Sequence, residues 1–179
     1  SATSACAGNA KPLDLQEKEV DFLNLARKFL PENGFAHYEI SNYAKSGFEC
    51  RHNLNTWNMN SWIGFGPSAA SQFGGLRFKN ASDLNSWARG VQSGEPKIED
   101  VVVLDDEEML SCALIFGLRK IEGVNLKEIK SRFKGADFAK YEEKIENLIK
   151  ANLLEKSGDF FRLSGEGIAL ADSVAVELL

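Results

Sequence analysis

Three neighbouring segments decide how this chain is read: Tyr38-Glu-Ile-Ser-Asn-Tyr-Ala44, Cys50-Arg-His-Asn-Leu-Asn-Thr-Trp57 and Gly64-Phe-Gly-Pro-Ser-Ala-Ala-Ser71. They crowd glycines, hydrogen-bonding side chains and one of only two histidines into a single block of 179 residues. Residues 35–42 alternate as a strand does, with His37, Glu39 and Ser41 on one side and Ala36, Tyr38 and Ile40 on the other. Residues 51–58 suit a short helix, and residues 62–73 suit another strand. Gly74-Gly75 then makes a two-residue hairpin into residues 76–80. Polar, glycine-punctuated strands cost stability unless something uses them, so the functional site is expected here.

Working outward, residues 15–30 have helical period, with Leu15, Phe22, Leu23, Ala26, Phe29 and Leu30 on one face. Pro31 is expected to stop that helix and Asn33-Gly34 to turn the chain. Residues 1–14 read as a flexible loop or chain end; small residues without an apolar core do not make a signal peptide. Downstream, Ser82 is a candidate N-cap for a helix carrying Leu84, Trp87, Ala88 and Val91, ended by Gly94 and Pro96. Residues 101–104 look like a connection.

Asp105 then caps a helix to about Lys120, with Leu110, Ala113, Leu114 and Gly117 inward and Gly123 closing it. A second helix carries Leu126, Ile129 and Phe133. A third carries Phe138, Tyr141, Ile145, Leu148 and Ile149. Residues 153–156 and 160–163 flank the tight turn Ser157-Gly158-Asp159, and Ser164 caps a last helix with Ile168, Val174 and Leu178. Helix, helix, helix, hairpin is the order of a winged-helix domain.

Bulk properties exclude several classes. Net charge is −5, with 10 basic and 11 acidic residues up to Leu104 and 11 and 15 after it, so no basic field gathers a nucleic acid. The expected recognition helix, about residues 137–150, sets Lys140, Lys144 and Lys150 against Glu142, Glu143 and Glu146. That balance suits a solvated face or a protein contact. No apolar run approaches the roughly 20 residues that cross a bilayer. Cys6, Cys50 and Cys112 are odd in number and far apart, which argues against a disulfide framework and for a cytoplasmic compartment.

His52 can ligate iron or zinc or shuttle a proton, or simply anchor a loop by hydrogen bonds. Glu39 is either a solvated carboxylate or, if its face is covered, a buried one needing a partner such as Arg51, Arg77 or a ligand. Gly64–Ser71 is neither a dinucleotide fingerprint nor a phosphate-binding loop; its small residues signal close approach by a ligand or by another element.

The three quoted segments, in this order, resemble the carboxyl half of the oxygen-independent coproporphyrinogen III oxidase family, and more closely its haem-chaperone branch. Gly117-Leu-Arg-Lys-Ile-Glu-Gly-Val124 and the terminal winged helix resemble that family's carboxyl-terminal domain. The resemblance spans about residues 13–179. It implies an α+β fragment: late strands and helices of a partial (β/α) radical S-adenosylmethionine barrel over residues 15–100, then a winged-helix domain over residues 105–179. In the whole protein it implies a [4Fe–4S] cluster and S-adenosylmethionine, but the CxxxCxxC cluster motif is not in this sequence, so the chain alone is not expected to be active.

On this resemblance Glu39, Ser41 and Arg51 would face the barrel interior, and Gly66 and Ala70 would lie beside S-adenosylmethionine. A His-Asn-x-x-Tyr-Trp haem motif is matched by His52, Asn53 and Trp57, with Thr56 in place of the tyrosine. Haem iron accepts an axial imidazole, which makes His52 the candidate ligand. The implied function is haem trafficking, with haem or porphyrin and a haem-receiving protein as partners. The alternatives are oxidative decarboxylation of coproporphyrinogen III, with Arg51 and Arg77 available for its carboxylates, or a non-catalytic interaction module.

Overall fold

A computed structural model describes residues 12–179. The expected loop at residues 1–14 falls largely outside that range, as does the side chain of Leu15. The chain divides into two compact units: the residues up to His37 together with Ser41–Glu49, and Tyr38–Ile40 together with Cys50–Leu179.

In the first unit, α1 spans Pro12–Glu32 and includes Pro31. The helix thus runs one residue past the proline that was expected to stop it. Its actual end is the turn that follows: Gly34, at φ +82°, donates to the Pro31 carbonyl (3.0 Å) while Phe35 donates to Leu30 (3.0 Å). This pair of bonds is a Schellman closure, which needs the left-handed backbone that glycine takes at least cost. The apolar stripe is largely outward, with Phe22, Leu23 and Phe29 all more than half exposed. Periodicity identifies a stripe but not what covers it, and this unit adds only a short hairpin segment to the helix.

The single strand expected over residues 35–42 is instead two: β1 (Ala36–Glu39) and β2 (Asn42–Ala44), forming a small sheet around a turn at Ile40-Ser41. The Ile40 N–H goes to the Arg119 carbonyl (2.9 Å) rather than onward along a strand. Within the first unit His37 stacks on Tyr43 with ring centroids 4.3 Å apart. Burial holds the Tyr43 hydroxyl above its ordinary pKa, partly offset by Arg27.

The second unit starts with α2 (Arg51–Trp57), followed by β3 (Ala70–Phe73), β4 (Leu76–Asn80), α3 (Leu84–Ser93) and β5 (Ile98–Val103). The strands form an antiparallel sheet in the order β3-β4-β5. Gly74-Gly75 makes the expected two-residue turn, both residues having positive φ. Three expectations are corrected. Only the end of residues 62–73 is strand, because Gly66 (φ +105°), Pro67 and Ser68 (φ +59°) break the extended backbone. Residues 101–103, expected as part of a connection, end a strand on β4. Asp83, not Ser82, caps α3 by accepting from Ser86 N (2.8 Å); the Ser82 hydroxyl is engaged by Glu99 (2.9 Å).

Next come α4 (Asp106–Gly117), β6 (Val124–Asn125), α5 (Leu126–Arg132), α6 (Ala139–Lys150), β7 (Leu154–Ser157), β8 (Phe160–Leu163), α7 (Gly165–Ala169) and α8 (Ala171–Leu178). The sheet order is β6-β8-β7, so a short strand the sequence did not reveal completes the winged-helix pattern. Asp105 and Glu108 form a reciprocal capping box on α4. That helix ends at Gly117, and Gly123 belongs to the following turn at φ +82° rather than to a helix end. The expected last helix is broken at Leu170 (φ −113°) into α7 and α8.

The core is here, with Leu110, Leu114, Tyr141, Leu154, Phe161, Val174 and Leu178 essentially inaccessible. Glu107 ties α4 to α6 through Lys140 and through Asp137 N (3.0 Å). The Lys140 hydrogen bond keeps the Glu107 carboxyl below the usual carboxylate range, and Glu107 in turn raises Lys140.

Candidate functional site

Seven residues of helix, α2, present the histidine motif. Cys50 begins it in extended backbone, its N–H on the Tyr38 hydroxyl (3.3 Å) and its thiol on the Asn53 side-chain oxygen (3.4 Å). The second contact draws Asn53 into holding the helix start. Thr56 folds back to the His52 carbonyl (3.0 Å), a local bond that a threonine hydroxyl makes and a tyrosine could not.

The other end of α2 is clamped. The Arg132 guanidinium donates to the carbonyls of Asn58 (2.8 Å) and Met59 (3.2 Å), and Lys120 Nζ donates to the Asn58 side chain (2.8 Å). Two cations at a helix C-terminus complement its exposed carbonyls and its dipole. Met59 sits at φ +53° and is buried, so the chain leaves the helix in a left-handed turn that these contacts hold.

His52 and Trp57 do not meet. Five residues at 3.6 per turn put them about 140° apart around the axis. Accordingly the His52 imidazole is exposed and makes no hydrogen bond, ion pair or ring contact among the described residues. Trp57 turns inward, tilted on Phe116 at 5.9 Å with the Arg119 guanidinium over its ring at 4.7 Å. Trp57 Nε1 and Arg119 Nε are both buried without a hydrogen-bond partner. Arg51 is exposed at the start of the helix.

Glu39 is buried at 1 % exposure, and its backbone forms an isolated antiparallel β-bridge with Lys120 in the loop after α4, so its side chain is the covered carboxylate of the two possibilities raised above. Ser41 lies exposed in the turn after β1, outside the alternating row that suggested it. Arg77 is committed to Gln72 (2.7 and 3.2 Å) across β3 and β4 and lies 3.8 Å from the Cys112 sulfur.

Gly66 belongs to a loop folded onto the β3–β4 hairpin, and Ala70 begins β3 where that loop ends. Asn80 donates to the carbonyls of Gly64 (3.1 Å) and Gly66 (2.9 Å), and Gly64 N donates to the buried Ser71 hydroxyl (3.0 Å). A Cβ on Gly64 would meet the Ala70 carbonyl at 2.3 Å, so the chain's own backbone requires the glycine there. Ala70 is exposed at the first position of β3, paired with Lys79.

Sequence reading did not single out Arg119, Lys120 or Arg132. The first two lie in the Gly117–Val124 segment already quoted for its resemblance, which was the available signal. Among the described residues no group of three or more His, Cys, Asp or Glu could hold a metal, and no helix is long and apolar enough to cross a membrane.

Comparison with known proteins adds the following. Residues 104–170 match the HemN C-terminal domain family. The haem chaperone HemW of Lactococcus lactis is 28% identical, with 93% of this chain aligned to 44% of that protein. A Dictyostelium discoideum protein named radical S-adenosyl methionine domain-containing protein 1, mitochondrial, is 29% identical over 91% of this chain and 42% of its own length. The solved structure of HemN from Escherichia coli, titled coproporphyrinogen III oxidase and a radical SAM enzyme, superposes with a TM-score of 0.65 at 16% identity. It covers 94% of this chain and 42% of that one. The chain spans less than half the length of the curated relatives it matches.

Proposed function

We propose that this chain, which belongs to the HemN/HemW family of radical S-adenosylmethionine proteins, serves a haem-chaperone function in which His52 is the axial haem ligand. The observation that carries this reading is the state of His52: a solvent-facing imidazole with no partner among the described residues, on a helix held at both ends. Bound haem would supply an iron that accepts one imidazole nitrogen lone pair. The chain's own contribution is positional. Cys50 and Asn53 hold the start of α2, Arg132 and Lys120 hold its end, and Trp57 locks the helix against Phe116. His52 is thereby offered at a defined place without having to give up a hydrogen bond.

On this reading residues 15–100 are the carboxyl-side part of the barrel and residues 105–179 the winged-helix domain, in a cytoplasmic protein that passes haem to a receiving protein. Glu39, Ser41 and Arg51 remain candidates for the barrel interior, and Gly66 and Ala70 for the S-adenosylmethionine side. A [4Fe–4S] cluster does not fit these residues: cysteines 6, 50 and 112 cannot supply a CxxxCxxC cradle. Radical chemistry therefore has to draw its cluster ligands from elsewhere in the whole protein. The decarboxylase alternative is less well served, because Arg77, one of its two carboxylate candidates, is spent on Gln72.

Haem titration followed at the Soret band tests the proposal. Wild type should give a saturable shift that His52→Ala abolishes or moves. An identical shift in both proteins would remove His52 from the account.

A further inference from the structure

Between α4 and α8 lies a cleft of about 230 Å³. Its walls are mostly apolar, Ile40, Phe116, Leu163 and Val174 among them, and two charged residues also line it: Arg119 and Asp172. Among the described residues these two do not pair with each other and Arg119 makes no ion pair. Its guanidinium lies over the Trp57 ring at 4.7 Å. Its Nε is buried and unsatisfied, next to a buried, unsatisfied Trp57 Nε1.

A half-buried guanidinium is costly unless an acceptor meets it, and stacking on an indole offsets only part of that cost. Apolar walls plus one unpaired guanidinium suit a ligand with an apolar body and a carboxylate, since Arg grips carboxylates with a planar fork of donors. The cleft is far too small for a whole tetrapyrrole but has room for one edge of it.

We propose that this cleft takes a propionate-bearing edge of a tetrapyrrole, with Arg119 as the carboxylate anchor and Asp172 as an opposing charge that weakens binding. The inference rests on the tetrapyrrole reading above but concerns residues other than His52, and it assigns a part in ligand binding to the loop after α4.

The test compares haemin with haemin dimethyl ester, which keeps the macrocycle and iron and lacks the carboxylates. Both are titrated against the 179-residue chain and its variants. Wild type should bind haemin about tenfold more tightly than the ester, the worth of one charge-assisted hydrogen bond. Arg119→Leu should bring the ratio near one, Arg119→Lys should keep most of the preference, and Asp172→Asn should strengthen haemin binding without changing the ester. Asp172 is exposed, so its variant reports even if replacing Arg119 impairs folding. Equal wild-type affinity for the two forms, or an Asp172→Asn variant that binds haemin no better, overturns the carboxylate site and leaves the haem reading standing. No spectral change with either form overturns both.

Discussion

Replacing Arg132 by Met tests how firmly the histidine-bearing helix is held. The substitution keeps most of the aliphatic stem and removes the guanidinium that donates to Asn58 O at 2.8 Å and Met59 O at 3.2 Å. A hydrogen bond from a charged group contributes about 1.5–3 kcal/mol when well shielded. The Asn58 bond is exposed and counts for about 0.5 kcal/mol, while the part-buried Met59 bond counts for about 1.5 kcal/mol. The loss should therefore be about 2 kcal/mol, or about 4–8 °C in Tm for a chain of this size. Urea denaturation measures the global term. Amide hydrogen exchange at Leu54–Asn58 measures the local one, because α2 should open before the core around Leu114 does. Arg132→Lys, with one donor group instead of a fork, should recover about half of the loss. A change below about 0.5 kcal/mol with unaltered exchange in α2 would refute the clamp, since two broken charge-assisted bonds cannot both be silent.

Other perturbations have equally definite outcomes. Asp105→Ala removes the α4 capping box and should lower stability by about 1 kcal/mol in urea titration. Gly123→Ala faces both a φ of +82° and a Cβ 2.2 Å from the Phe161 carbonyl, so it should cost at least about 2 kcal/mol; near-neutral behaviour would mean that the β6–β8 approach is wrong. Glu107 has a folded pKa below its ordinary value because Lys140 bonds its carboxylate, so its stabilising effect is complete above the unfolded carboxylate pKa and fades as pH falls through the lower folded value. Glu107→Gln should therefore be less stable than wild type near neutrality, and the gap should narrow under acid in thermal melts at several pH values.

Where structure follows from short-range rules, the sequence was legible. The Asp105 cap, the inward stripe Leu110, Ala113, Leu114 and Gly117, the stripe on α6 and the two tight hairpins all stand. Each depends on neighbours within a few residues, where periodicity and turn chemistry act directly. The errors share one cause. Residues 101–104 read as a connection because the strand character of Ile98–Val103 comes from pairing with β4. Similarly, the Phe22, Leu23 and Phe29 stripe marks a helix face correctly but says nothing of what covers it. At the site, His52 and its short helix were visible from residue type and spacing.

The helix–helix–helix–hairpin succession and the family to which the chain belongs are thus written in the amino-acid sequence, because caps, turns, stripes and motifs are local patterns. Tertiary structure alone decided that Glu39 is buried, that Trp57 turns away from His52 onto Phe116, and that Arg132 reaches Asn58 from 74 residues along the chain. It alone brought Arg119 onto Trp57 at the edge of an apolar cleft. The physical reason is that burial and donor satisfaction belong to the packed whole: a side chain's partner is whichever group the fold brings within about 3 Å, and no local rule names it.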